Sequence, residues 1–327
     1  MSEDKNYPRR LYEEGKAPIQ NKSMNHNCLL GNLASVRKAI GTDVWNALRE
    51  SAVGVNVKLV DSNYVLSGKT VHYFLTLQLV VKKYHEIWSL VGGQPIRFSL
   101  HEFAEITSLN SDPVPKEELN VEYRDFCKLI DVGEGDGPTY DELVLALQRC
   151  RTWSFEQRRM LGWLFVLSVG IYGLHHNCRI PLEAAKRVVD VEAFESYRWG
   201  RIGFIELVDS IKVVTYGNNS YTVHGCVHVL LIWIYESVAA FGERFGNKIE
   251  GAEVPLLAWG GSRPRTIFEV VIQKEVETYG EVRARNLILK PEEEIFPEWD
   301  DDVIDEELHN LVDDLMKNRS MLMIGML

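Results

Sequence analysis

Residues 88–109 read WSLVGGQPIRFSLHEFAEITSL, and how this stretch is read decides the fold of the chain around it. Gly92 and Gly93 stop the helix that precedes them, Pro95 holds the following residues extended, and Ile96 and Phe98 alternate inward around Arg97. Ser99 and Glu102 then have the form of a capping box, in which the hydroxyl accepts from the amide three residues on and the carboxylate reaches back to the cap amide. The block therefore reads as a helix-strand-helix joint rather than as a ligand loop. Only Arg97 lacks a structural task; a cation between two apolar residues has to find a carboxylate or a partner.

Working outward, the apolar residues of 29–50 recur at three- and four-residue intervals, which predicts two short helices broken near Gly41. Val55, Val57 and Leu59 alternate with other residues as in a short strand, and helical spacing returns over residues 71–88. Thr139 with Glu142 and Ser154 with Gln157 repeat the capping-box form, and further helices are expected at 182–194, 203–214, 225–244 and 265–280. The expected fold is mainly α. It comprises a mobile polar arm (1–28), one large helical domain (29–285) with a few short strands near 55–60 and 95–99, and an acidic C-terminal tail (286–327) that is disordered or folds on a partner.

Composition bounds the function. With 46% hydrophobic residues in 327, the chain can bury a sizeable core. The net charge of −11 is concentrated: twelve of the 47 acidic residues and two of the 36 basic ones fall in residues 291–327, leaving 34 basic against 35 acidic residues elsewhere. A neutral body offers no general field for nucleic acid or an anionic membrane, so nucleic-acid binding is disfavoured. Five scattered cysteines with no Cys-x-x-Cys pair suggest reduced thiols in an intracellular compartment. The longest apolar run, LGWLFVLSVGIYGL at 161–174, is too short for a bilayer and reads as a buried helix.

Motifs that carry chemistry are incomplete. Ser67-Gly-Lys-Thr70 ends like a phosphate-binding loop, but Asn63 stands where its first glycine belongs, and a helix-start turn is expected. Gly133-Glu-Gly-Asp-Gly137 is an acidic loop whose carboxylates would repel a pyrophosphate. His224, Cys226 and His228 are the densest set of potential zinc ligands, yet they sit at the edge of an apolar helix, where buried histidine and cysteine are common. Glu236 lies within the apolar run CVHVLLIWIYESVAAF; an internal ion pair with Arg97, Arg198 or Arg201 is expected of it rather than acid-base catalysis.

The pattern Trp88, Gly92-Gly93-Gln94-Pro95, Arg97-Phe98-Ser99, Glu102-Phe103 resembles the hallmark of a plant-specific domain-of-unknown-function family. The likeness continues through RRMLGWLFVLSVGIYGL, IPLEAAKRVVDVEAFESYRWGRIGF and YTVHGCVHVLLIWIYESVAAFGE, covering about residues 64–245 in order, and the chain is also similar to the plant mobile domain. The resemblance implies a transposon-derived gene whose domain accompanies a ubiquitin-like (SUMO-type) cysteine protease, and a nuclear setting. Arg198-Trp199-Gly200 departs from the family's Pro-Trp-Gly, and no Gln is followed six residues later by a Cys as in the protease, so peptidase activity is not carried over. The expected function is a non-enzymatic interaction module with a protein partner and no cofactor. Binding residues are sought among Arg97, Glu102, Arg198, Trp199, Arg201 and Glu236, or in the tail. The alternatives are an accessory domain for such a protease acting in trans and, less favoured, a chromatin or nucleic-acid binder.

Overall fold

The computed structural model describes residues 5–18, 23–62, 64–116, 119–261 and 267–324; Asn63 of the phosphate-loop comparison and parts of the arm and the chain end lie outside them. The described residues are mainly α, with fifteen α-helices and three two-stranded sheets. At the start, Leu33–Ile40 and Thr42–Arg49 are separated at Gly41, whose φ of 91° lies in the left-handed region that favours glycine. Both helices lie against Phe155–Val166, which continues through a π-helical turn, Leu167–Ile171. The approach is close: a Cβ on Gly162 would stand 2.6 Å from Leu48 Cδ1. The apolar run at 161–174 is thus core, and no described helix is long and apolar enough to cross a membrane.

All three predicted capping boxes form with both halves in place, at Ser99–Glu102, Thr139–Glu142 and Ser154–Gln157. Ser67 accepts from the Thr70 amide, so Ser67-Gly-Lys-Thr70 opens the helix Gly68–Thr76. The predicted helices at 203–214 and 265–280 correspond to Trp199–Lys212 and Phe268–Tyr279. The one at 225–244 is two, His228–Ser237 and Ala239–Phe245, broken at Val238, whose extended backbone bridges to Ala284. Trp45, Trp163, Trp199 and Trp233 are all fully buried in the single large core these helices enclose.

Three expectations are corrected. Residues 55–60 are not a strand but belong to the helix Gly54–Val60: Val53, Asn56 and Val57, at i, i+3 and i+4, are buried together with Gly54 and Leu59 while Val55 is only half-buried, so the burial follows the helical turn rather than the alternation of Val55, Val57 and Leu59. The helical reading of 71–88 holds only to Thr76. Ile87–Val91 is a strand and pairs antiparallel with Gln94–Phe98, placing Trp88 opposite Arg97. Gly92 and Gly93, with φ of 55° and 87°, therefore make the two-residue turn of a hairpin rather than a helix stop.

The third correction concerns the ends of the chain. Residues 9–11 run beside the 78–80 segment, with Leu11 N donating to Gln78 O and Val80 N to Arg9 O. Segment 77–80 in turn bonds to the first hairpin strand, and Arg97 N on the second strand donates to Asn286 O. The tail does not stand free: Leu287, Ile295 and Leu308 are buried with Leu79 and Trp88 in a second, smaller core, flanked by Phe296, Leu311, Val312 and Leu315. Apolar residues interleaved with acids give the segment a face to bury, and the hairpin supplies the surface that buries it.

Candidate functional site

The hairpin carries a layer of charge between the two cores. Arg97 is 1% exposed, and its Nε and Nη2 donate to Glu102 at 3.0–3.3 Å. Glu102 also accepts from Ser99 N at 2.8 Å and from Ser99 Oγ at 2.6 Å, so one carboxylate serves as helix cap and as counter-ion. The Arg97 carbonyl accepts from Trp233 Nε1 at 2.7 Å, fixing the strand to the main core. Glu86, 2% exposed, accepts from Trp88 Nε1 at 2.7 Å through Oε2, and its backbone carbonyl accepts from Lys212 Nζ at 2.8 Å. Burial pushes the Glu86 carboxyl above the usual range, against the pull of Arg97, and pushes the Lys212 ammonium down to about 8. Glu86 Oε1 and Arg97 Nη1 are buried without a hydrogen-bond partner.

The C-terminal segment straps across this layer. Phe296 lies over the Arg97 guanidinium, 5.0 Å from ring centroid to Cζ. Trp299 stacks on His85 with ring centroids 3.8 Å apart, and it also meets Arg201 at 4.6 Å and Phe204 at 5.9 Å. Asp302 pairs with Lys83 at 3.0 Å, and Asp301 approaches His85 at 3.5 Å. Asp305 accepts from Lys82 N at 2.7 Å and from Leu308 N at 3.1 Å, tying the strap down while capping the helix Glu306–Ile324. From the other end of the chain, Lys5 and Tyr7 both bond to Asp314 at 2.6 Å, and Asn310 donates to Asn6 O at 3.0 Å.

Between the strap and this helix lies a hollow of about 690 Å³. Its apolar wall includes Val303, Ile304 and Met316; Val303 is 54% exposed and Ile304 86%. Glu86, Glu298 and Asp313 supply carboxylates, and Asp302 Oδ1 at its edge is buried with no hydrogen-bond partner.

The residues singled out from sequence fall in four places. Arg97 and Glu102 form the buried pair and present no open surface. Arg201 donates through Nε to the Ser111 and Asp112 carbonyls at 3.1 and 2.9 Å while its guanidinium faces Trp299; Arg198 lies 3.8 Å from the Asp112 carboxylate. Trp199 is core, its Nε1 donating to Phe194 O at 2.8 Å. Glu236 accepts from Trp259 Nε1 at 2.7 Å, so the ion pair expected of it with Arg97, Arg198 or Arg201 is replaced by a tryptophan contact elsewhere in the fold.

His224, Cys226 and His228 are each committed separately. His224 N donates to Ser210 Oγ, Cys226 Sγ meets Asn56 Oδ1 at 3.6 Å, and His228 Nε2 lies 3.0 Å from Cys28 O. Among the described residues no group of three or more His, Cys, Asp or Glu is placed to hold a metal ion. Sequence reading missed Glu86, Lys212, His85 and Trp299. The acid-apolar alternation of 291–315 was the available signal, because it marks a segment able to bury one face.

Residues 75–210 match the model of a family described as a domain of unknown function, DUF1985. No curated protein and no solved structure matches the chain. The match takes in the hairpin, the Arg97–Glu102 pair and Arg201, while the strap lies beyond it. Residues 75–210 are thus similar to the DUF1985 family, and the chain's own C-terminal segment is folded onto that region.

Proposed function

We propose that the chain acts as a non-enzymatic protein-interaction module, in the plant, transposon-derived and nuclear setting that the sequence resemblance implies. The face it presents is the outer surface of the C-terminal segment. One observation carries this: the strap and the helix Glu306–Ile324 enclose an apolar hollow rimmed by carboxylates, with Ile304 and Val303 left in solvent at its edge. Exposed apolar side chains grouped in a concave site and rimmed by charge mark a surface for a partner. The charged residues of the hairpin support the reading in a different way, because their pairing with each other gives them a structural task beneath that face.

The test compares the full chain with its V303S/I304S variant as baits in quantitative affinity capture. Both positions are solvent-exposed, so thermal melting should show an unchanged fold. Partners of the wild type should be depleted with the variant. The same partner set from both baits would remove this face from the function.

A further inference from the structure

The rim of the hollow has a definite chemistry. Its charged lining is dominated by carboxylates: Glu86, Glu298, Asp302, Asp305 and Asp313 against Lys83, which Asp302 already engages through Oδ2, and the His309 ring, 3.7 Å from Asp313, while Asp305 is taken up by the Lys82 and Leu308 amides. Two acceptors in that lining have no hydrogen-bond donor, Glu86 Oε1 and Asp302 Oδ1, and both are buried. Glu86 is the stronger indication, being 2% exposed; a buried carboxylate oxygen without a donor is destabilising unless a cation or a donor reaches it. Beside these acceptors stand the aliphatic walls and the exposed Ile304. A ligand complementary to all of this has a cationic head on an aliphatic stem and an apolar face next to it. That is a lysine or arginine side chain carried on an amphipathic segment.

Building on the interaction-module reading, we propose that the hollow is a docking site for a basic amphipathic helix of a partner protein, which sends a Lys or Arg side chain toward Glu86 and Asp302 and lays its apolar face on Val303 and Ile304. The burial that raises the Glu86 carboxyl works in the same direction, since an arriving cation stabilises its ionised form. Nucleic acid and anionic lipid surfaces are the wrong sign for this rim. The concentration of twelve acidic and two basic residues in 291–327 supplies a long-range field that favours approach of a basic segment.

The probe is a model helix-forming peptide of leucine and lysine at amphipathic spacing, titrated against the full chain and followed by tryptophan fluorescence and calorimetry. Its charge-reversed leucine-glutamate counterpart is the control. The lysine peptide should bind, with affinity falling as salt rises, and the glutamate peptide should not. E86Q, which keeps shape and removes charge, and I304S should each weaken binding about tenfold, the size expected for losing one buried cationic contact or one apolar contact. D125K makes the same change in net charge as D313K but at a position 93% exposed and on a distant helix; it should leave binding nearly intact while D313K weakens it. Equal binding of both peptides, equal loss in D125K and D313K, or unchanged affinity in E86Q would overturn the proposal. Failure here with capture still lost in V303S/I304S leaves the interaction face standing and refutes only the basic partner. Capture that survives in that variant refutes the face itself.

Discussion

Arg97 shows what a single residue contributes when it has no access to solvent. Its partner was five residues away in the sequence already quoted, because Glu102 both caps the helix at Ser99 and neutralises the guanidinium. The sequence assigned Glu102 to the cap and left Arg97 open, since a capping box does not announce that its carboxylate has a second task. Removing one member of a buried pair leaves the other charged and dry. R97A should therefore lose about 3–5 kcal/mol of unfolding free energy, measured by urea titration. R97M/E102Q, which leaves no charge behind, should lose less than R97A despite carrying two changes. A loss within error of zero for R97A would show that the pair is not a stabilising contact, and the residue would return to the list of binding candidates.

At the scale of elements, the capping boxes were legible because a short sequence pattern encodes them completely, and all three formed. The hairpin was not. Gly-Gly followed by Pro after an apolar run has two meanings, a helix stop or a two-residue hairpin turn, and they differ only in whether the preceding residues are helical. The segment that bonds to the hairpin's first strand, where Leu77 and Leu79 alternate with Gln78 and Val80 at the strand period, was masked as well, by the longer helical stripe that starts at Val71. The strap was missed for another reason: its stability comes from contacts more than 200 residues apart in sequence, such as Asp305 with Lys82. Its anchor is Trp299, held by His85 and Arg201. Losing one aromatic stack and one cation-π contact amounts to about 2 kcal/mol, or about thirtyfold in a local opening equilibrium. In W299A, amide exchange at Leu308 and His309 should accelerate by that factor while the amides of Trp163 and Leu164 keep their protection. Unchanged exchange at Leu308 would show that the strap is held elsewhere, and acceleration throughout the core would show that it is not a separate unit.

For the whole molecule, the consequence of this packing is a particular response to acid. His26, His85, His101 and His228 all have their ring pKa values lowered, in each case chiefly by burial; His26 and His228 are neighbours with ring centroids 5.7 Å apart, while His85 lies against Trp299 and His101 on the helix Leu100–Thr107. A histidine that is less basic when folded binds fewer protons in the native chain than in the unfolded one between the two pKa values, so stability rises with pH across that interval and is lost as pH falls through it. The raised carboxyls of Glu86, Glu195 and Glu206 act with the opposite sign, since the native chain holds their protons longer, and their interval begins at the ordinary carboxylate value of 4.5. His228 is the group to isolate. It is nearly inaccessible, its Nε2 is committed to the Cys28 carbonyl, and its pKa falls from 6.5 to about 4. Over that interval it should remove about 2 kcal/mol of stability between about pH 7 and about pH 5. H228Q retains a donor toward Cys28 O but cannot titrate, so urea midpoints measured across that range should fall less steeply than in the wild type, by about that amount. Parallel pH profiles would mean that His228 takes up its proton in the folded chain as readily as in the unfolded one, and that the buried interior around Cys28 and Cys226 is open to water.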